Sequence, residues 1–310
     1  MLLTGHKLGQ LTGKAAFLWK NGTENSKVVG RDYHLEGSIM PTSLTIRLKG
    51  EEEHQHGPYL ASLMQGVLME KIDPVYAEYL HMTGAHPYSQ NIQVKDNLIY
   101  WNVNALSDEA EQHLIQPLLN NEDPSFFLSH RQETLKIIDK SIKKCSYDEL
   151  VHKYYFGSNS RNLTLQFLTP AGFKQGGRYC IFPTGRLIFQ SLMQRYDAGA
   201  EDSSIFSEEL VEEFEQYTEI TDYKLRSVRF SMEGVKIPSF VGECTIRIRG
   251  PQQMVNVAHM LAHYGEFSGV GIKTGLGMGA LSVRENPFNN MKRKTKETSN
   301  QMQQAGKRGE

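Results

Sequence analysis

The order of strand-like and helix-like segments is the feature that most constrains how this chain can fold. Apolar residues alternate with polar ones in strands and recur every three or four residues in helices. Between residues 40 and 150 the order is strand, helix, strand, strand, helix, strand, with the first helix divided at Asp73-Pro74. This is the order of the ferredoxin-like unit. The predicted segments are a strand at 41–49, helices at 58–72, 73–81 and 107–119, a strand pair in SQNIQVK and NLIYWNVNA, and a β-rich stretch at 126–138.

The same order recurs between residues 160 and 285, without any repeat of the sequence itself. The chain is therefore predicted to have an α+β fold of two tandem ferredoxin-like (RRM-like) domains at 40–150 and 160–285, the second with a C-terminal glycine-rich loop. The segments predicted in the second domain are strands at 162–170 and 177–183, helices at 184–198 and about 206–216, strands within 221–232 and 238–250, a helix at 252–267 and a last strand in MGALSV.

The two ends of the chain differ from these domains. Residues 1–39 mix isolated glycines and lysines with short apolar pieces, and we interpret them as a leader, a tag remnant or an extra strand pair. Residues 286–310 carry six basic and two acidic residues and almost no apolar ones, which predicts a disordered basic tail. Residues 40–285 have 23 basic and 30 acidic residues, so a nucleic-acid-binding surface on this acidic body would have to be local.

Composition argues against several classes of protein. The sequence has no apolar run of the roughly 18 to 20 residues that a membrane span needs. Its three cysteines are too few and too far apart for a disulfide framework or a zinc ligand set. We therefore expect a soluble, cytoplasmic protein that uses no metal and no cofactor.

A glycine-rich segment, GVGIKTGLGMG, lies at 269–279 after the last predicted helix. Glycines permit positive φ angles and close approach of the backbone, so such a loop can direct several N–H groups at phosphate oxygens. It is not a P-loop, because Ile272 separates Gly271 from Lys273 and the segment follows a helix rather than a strand. A purely structural turn remains the alternative. The residues assigned to RNA or phosphate contact are Gly269, Gly271, Lys273, Gly275, Gly277 and Gly279.

Several segments together resemble the RAMP superfamily of CRISPR-associated proteins. The glycine segment has the pattern G-h-G-x5-G-h-G near the C-terminus of a second ferredoxin-like domain. The stretches YLASLMQGVLMEKIDPVYAEYLHMTGAHPYS, TPAGFKQGGRYCIFPTGRLIFQSLMQRY and KIPSFVGECTIRIRG are similar to segments of the endoribonucleases that process CRISPR repeat RNA. The resemblance covers about residues 40–285.

The resemblance implies a chemistry and its residues. Family members cleave one phosphodiester per repeat without metal and leave a 2′,3′-cyclic phosphate and a 5′-hydroxyl. His81 falls on the family's Leu-His position and is the implied proton-transfer residue, while His86 lies where some relatives carry a lysine. Histidine suits either proton role because both of its forms are populated near neutral pH. Relatives can also carry a tyrosine in the first helix, where this chain has Met69, so tyrosine assistance is not expected.

The resemblance also implies partners. These are CRISPR repeat RNA and proteins of a CRISPR effector complex, with either a monomer or a homodimer as the oligomeric state. Basic residues in the predicted strands of the second domain either contact this RNA or form a solvated outer face. The residues assigned to this contact are Arg226, Arg229, Arg247 and Arg249.

The other histidines carry weaker signals. His54 and His56, in EEEHQHG, are expected in a solvated loop, and His259 and His263 are expected to be ordinary surface or core residues. Three functions remain open: a metal-independent endoribonuclease, a subunit that binds repeat RNA without cutting it, and a ferredoxin-like scaffold with no nucleic-acid role. The sequence does not decide whether His81 acts as the acid or the base.

Overall fold

The computed structural model describes residues 41–51, 54–82, 86–200, 204–232 and 234–284. The predictions for residues 1–39 and 286–310 lie outside these ranges. In the described part of the chain, no helix is both long enough and apolar enough to cross a membrane.

The first domain is a five-stranded antiparallel sheet with helices on one face. The strand order is β2-β3-β1-β5-β4, which is the ferredoxin-like order with one extra edge strand, β4. Helix α3 consists of three contiguous segments, the middle one a π turn. The elements are β1 (Thr42–Lys49), α1 (Leu60–Lys71), α2 (Pro74–Met82), β2 (Tyr88–Lys95), β3 (Leu98–Ala105), α3 (Asp108–Ala110, Glu111–Ile115, Gln116–Leu119), β4 (Ser125–Leu128) and β5 (Glu133–Lys144).

Sequence patterns explain these elements. Strand β1 buries alternate residues, with Leu44, Ile46 and Leu48 fully buried against the helices. The carboxylate of Asp73 accepts hydrogen bonds from the backbone N–H groups of Val75 and Tyr76, at 2.9 and 3.1 Å, and so caps the start of α2. The β-rich stretch after residue 125 is the β4–β5 hairpin, which places one more strand at the sheet edge than the simple repeat predicts.

The second domain has a four-stranded sheet in the order β11-β6-β10-β9, the ferredoxin-like order without additions. The predicted strand at 177–183 does not join this sheet. Its residues supply only β8, which forms a separate hairpin with β7. The elements are α4 (Tyr147–Leu150, continued by a π turn at Val151–Tyr155), β6 (Asn162–Ala171), β7 (Phe173–Gln175), β8 (Arg178–Cys180), α5 (Gly185–Gly199), α6 (Glu208–Tyr217), β9 (Thr218–Met232), β10 (Val235–Ile248), α7 (Gln252–Ser268), a 3₁₀ turn (Thr274–Leu276) and β11 (Leu281–Arg284).

The two sheets confirm the predicted tandem ferredoxin-like architecture. Each domain buries its own apolar core, and polar side chains connect the two. The side-chain amide of Gln90 on β2 donates to the carbonyl oxygen of Gly275 at 3.0 Å. The hydroxyl of Ser89 donates to the carbonyl oxygen of Phe267 at 2.5 Å. The start of β2 therefore lies against both the end of α7 and the glycine-rich loop.

Candidate active site

His81 lies in the last turn of α2 with its side chain exposed to solvent. The residue before it, Leu80, is buried in the first domain, as is Tyr76 one turn earlier. Because α2 is anchored by these two residues and capped by Asp73, the imidazole projects from a fixed helix end rather than from a loose loop. The structure thus presents His81 as an accessible group at the end of α2.

His86 lies just before β2 and is half-buried. Its Nδ1 is buried and has no hydrogen-bond partner among the described residues. Burial lowers the pKa of His86, and the positive charges of Arg195 and His81 lower it further. The charge of His81 therefore acts on His86, which lies five residues further along the chain.

Arg195 is a residue of this site that the sequence does not reveal. It comes from α5 of the second domain, and its Nη1 donates to the backbone oxygen of His86 at 3.4 Å. Burial lowers the pKa of its guanidinium. In the sequence Arg195 looks like one of the polar positions of an amphipathic helix, and its neighbour lies more than a hundred residues away in the other domain.

Two buried tyrosines of the first domain lie near these residues, Tyr88 beside His86 and Tyr76 on the helix that carries His81. The ring of Tyr88 lies 5.7 Å from that of His86, and burial raises the pKa of its hydroxyl. Tyr76 stacks on His113 with a centroid separation of 4.2 Å, and its hydroxyl is buried with no hydrogen-bond partner among the described residues. Both hydroxyls are therefore uncharged at neutral pH.

The glycine-rich loop adjoins this site but is packed rather than open. The backbone at Gly269, Gly271, Gly277 and Gly279 has positive φ angles. Most of its N–H groups are already bonded, for example Val270 to the oxygen of Gly279 at 2.9 Å. A loop whose donors are used internally has few left for phosphate.

The centre of the loop inserts against the first domain. A Cβ at Gly275 would lie 3.1 Å from the ring of Tyr88, and one at Gly277 would collide with the side chain of Ala61. The outer part, Gly271 to Lys273, is partly exposed, as is Leu276, and the rest of the loop is buried. The glycines therefore have a packing role at the domain interface, and their assigned contact with RNA stays a prediction.

The four arginines of the β9–β10 hairpin are all exposed but lie in two separate places. Arg229 pairs in register with Pro238, next to Phe230, which packs on Met278 of the glycine loop. Arg226 lies three residues before Arg229 on β9. These two arginines are therefore on the half of the hairpin nearest the loop.

Arg247 and Arg249 lie at the other end of the hairpin. A strand rises about 3.3 Å per residue, so Arg247 is about 30 Å along β10 from Pro238. Arg249 forms an ion pair with Glu219 at 2.6 Å, and Glu219 also lies opposite Arg247 in the register. Their assigned RNA contact also stays a prediction.

For one of the remaining histidines, His56, the sequence-based prediction is wrong. His56 was expected in a solvated loop, but its ring bonds to Glu133, whose side chain is completely buried and is also paired with Arg131. A buried carboxylate needs hydrogen-bonding or charged partners, and His56 supplies one. This bond connects the segment before α1 to Glu133 at the start of β5. His259 bonds to the carbonyl oxygen of Ser160 at 2.8 Å, as a core histidine would. No group of three or more potential metal ligands occurs in the described ranges.

The fold and the site define a class: a two-domain ferredoxin-like protein with two imidazoles and a partly buried arginine where its domains meet. Residues 165–281 match the family model of the CRISPR-associated endoribonuclease Cas6. A Cas6 endoribonuclease of Streptococcus thermophilus is 34% identical over 227 residues, covering 73% of this chain and 92% of that relative. One of Mycobacterium tuberculosis is 30% identical over 254 residues, covering 82% and 81%. The chain belongs to the Cas6 family of CRISPR-associated endoribonucleases.

Solved structures agree on the fold. Thermus thermophilus Cas6 has a TM-score of 0.64 and 23% identity, covering 80% of this chain and 100% of that one. A partial Cas6-RT-Cas1–Cas2 complex has a TM-score of 0.54 at 13% identity, covering 81% of this chain and 47% of that one. The predicted family, fold and endoribonuclease class are thus confirmed. Cleavage of CRISPR precursor RNA within its repeats is the activity that family membership supports.

Proposed function

We propose that this endoribonuclease cuts CRISPR repeat RNA by attack of a ribose 2′-hydroxyl on the adjacent phosphate, with His81 and His86 as the proton-transfer pair. The observation that carries the proposal is the pairing of an exposed imidazole at a fixed helix end with a half-buried one in electrostatic range. The reaction needs one group to take the 2′-hydroxyl proton and another to protonate the leaving 5′-oxygen. Its products are a 2′,3′-cyclic phosphate and a 5′-hydroxyl.

The electrostatics favour one division of roles. Because the pKa of His86 is lowered, its ring is neutral near pH 7 and can accept a proton. His86 therefore fits the base, and His81, exposed at the end of α2, fits the acid.

The RNA would run from this site over the exposed part of the glycine loop and the nearer half of the β9–β10 hairpin. Lys273 is partly exposed on the outer side of that loop, and Arg226 and Arg229 are exposed on the hairpin. Repeat RNA is the proposed partner. Assembly with other CRISPR proteins and a cytoplasmic location are proposed with it, the former supported by the fold shared with the complexed relative.

The test is cleavage of a labelled, matched repeat RNA in the presence of EDTA. We expect cleavage by the wild-type protein, and a loss of about 10²–10⁴-fold in the single-turnover rate for His81→Ala with little change in affinity. His130→Ala is the matched control, because His130 is an exposed histidine in the turn between β4 and β5. A 2′-deoxy sugar at the scissile nucleotide should block the reaction.

Each alternative has its own outcome. Binding without cleavage by the wild-type protein would indicate an RNA-binding subunit, and neither binding nor cleavage would indicate a scaffold. Full activity of His81→Ala would show that another residue transfers the proton. Continued cutting of the 2′-deoxy RNA would rule out the attack by the 2′-hydroxyl.

A further inference from the structure

Arg195 is a partly buried cation at the domain boundary whose charge is not balanced by the residues around it. The hydrogen bond from its Nη1 to the oxygen of His86 is long, at 3.4 Å, and no carboxylate in the described ranges forms an ion pair with it. Asp197, two residues along α5, instead accepts hydrogen bonds from Ser204 and from the backbone of Ile205 and Phe206. Burying a charge without a partner is costly, so such groups are normally paired or bind a ligand.

The groups that surround Arg195 are neutral or basic. The hydroxyl of Tyr264 donates to the backbone oxygen of Arg195 at 3.0 Å, and burial keeps Tyr264 and Tyr88 protonated. The charge of Arg195 acts on His86, whose Nδ1 has no partner in the described structure. An unbalanced guanidinium and an unbonded ring nitrogen thus occupy the same small region between the domains, and an anion placed there could satisfy the guanidinium.

We propose that Arg195 binds a non-bridging oxygen of the scissile phosphate and stabilises the charge that develops on it. This rests on the nuclease function proposed above. In that reaction the bond from the 2′-oxygen to phosphorus forms and the bond to the 5′-oxygen breaks. One proton leaves the 2′-hydroxyl for the base, and one reaches the 5′-oxygen from the acid. Arg195 exchanges no proton, because a guanidinium stays charged, and its planar set of donors matches phosphate oxygens.

This role makes the second domain part of the chemistry. The proton-transfer residues belong to the first domain, and α5 of the second domain would supply the cation. The competing explanation is that Arg195 only joins the domains through the oxygen of His86. A purely structural role would lower stability or RNA affinity, whereas a phosphate contact would lower the rate of the chemical step.

The first experiment compares Arg195→Gln with Arg186→Gln under single-turnover conditions with matched repeat RNA. Arg186 is on the same helix but is paired with Glu208 and Glu215 on the surface, which makes it a matched control. We expect the rate to fall about 10²–10³-fold for Arg195→Gln, with affinity within about threefold of wild type, and no change for Arg186→Gln. Replacing one non-bridging oxygen with sulfur should slow the wild-type protein and have less effect on Arg195→Gln.

The second experiment needs no cleavage. Inorganic phosphate is titrated while the imidazole resonances of His81 and His86 are followed by NMR. We expect phosphate to shift the His86 resonance in the wild type and in Arg186→Gln but not in Arg195→Gln. In the absence of phosphate, His86 should titrate at a higher pH in Arg195→Gln than in the wild type, because a nearby positive charge has been removed.

Failures of the two proposals can be told apart. Equal phosphate shifts in all three proteins, or loss of RNA affinity with an unchanged rate in Arg195→Gln, would overturn the role of Arg195. A wild-type protein that does not cut a matched repeat would overturn the nuclease proposal. The phosphate titration would then still decide whether Arg195 holds an anion.

Discussion

The two domains share one topology but extend different connections between its elements. In the first domain five residues separate α2 from β2, and this connection leads from His81 to His86. In the second domain the corresponding connection is absent, because α6 ends at Tyr217 and β9 begins at Thr218. The second domain instead has the glycine-rich loop in the link from α7 to β11, at the place in the topology where the first domain inserts β4.

The difference shows how function can be divided between duplicated units. The sheets and helices of both domains mainly form the packed cores, so the candidate site is built from a helix end, a connection and one arginine on a helix. The first domain supplies the titratable groups, and the second supplies the loop and the cation that face them. Neither unit alone holds all the residues of the candidate site, so the proposed site depends on how the two domains pack together.

The strongest test of this dependence is at Gly277. We expect Gly277→Ala to cost about 2–4 kcal/mol of the free energy of unfolding, because the added Cβ would collide with Ala61 and the backbone has a positive φ. Urea unfolding measures the change. Gly234→Ala is the control, since Gly234 has a positive φ but open space around its Cβ position, and it should cost only about 1 kcal/mol.

A second change separates the collision from the backbone strain. Ala61→Gly removes the methyl group that the new Cβ would meet, so the double variant should recover about 1–2 kcal/mol relative to the sum of the single variants. Additive losses would mean that Gly277 is required only for its φ angle. The loop would then not depend on close contact with the first domain.

The histidines of the two domains should also respond differently to pH. Burial lowers the pKa of His259 to about 4, so between about pH 6.5 and 4 the unfolded chain binds a proton that the folded chain does not. Stability should therefore fall as the pH falls through this range, by about 3 kcal/mol from this residue. His259→Gln keeps a donor for the oxygen of Ser160. Its free energy of unfolding in urea should fall less between pH 7 and pH 4.5 than that of the wild type.

The same change should leave the cleavage rate at pH 7 unaltered, because His259 is a packing residue of the second domain. His130→Gln serves as the matched control, because it removes the imidazole of an exposed histidine. An unaltered pH dependence in His259→Gln would place the acid sensitivity of the fold in other groups, His86 among them.

Local patterns predicted most of the elements but not the contacts between them. The cap of α2 at Asp73 and the alternation in β1 act within a few residues, so the sequence shows them directly. Arg195 and the bond of His56 to Glu133 join residues far apart in the chain, and no local pattern marks such pairs. The edge strand β4 was missed because a β-rich stretch does not show where its turn lies.

The glycine-rich loop shows how one sequence pattern can serve two purposes. Glycines were predicted to expose N–H groups to phosphate, which needs freedom of the backbone. The structure uses that freedom for close packing against Tyr88 and Ala61. Sequence alone could not distinguish these uses, because both require a residue without a side chain.

The smallest expected effect distinguishes the two ends of the β9–β10 hairpin. Replacing Arg226 and Arg229 together with glutamine should weaken binding of repeat RNA about 3- to 10-fold and reduce the slope of log affinity against log salt by about 2, since each phosphate contact contributes about 1. Replacing Arg247 and Arg249 should change both quantities less. These residues lie at the far end of the hairpin, and Arg249 is already paired with Glu219.

Filter binding at several salt concentrations measures both quantities, and the two double variants are matched in the charge they remove. Equal losses would mean that the RNA follows the whole length of the hairpin. A larger loss for Arg247 and Arg249 would place the RNA path at the end of the hairpin away from the glycine loop. In that case the second domain would contact RNA away from the proposed catalytic site. The second domain would then serve RNA binding, and the first domain would serve cleavage.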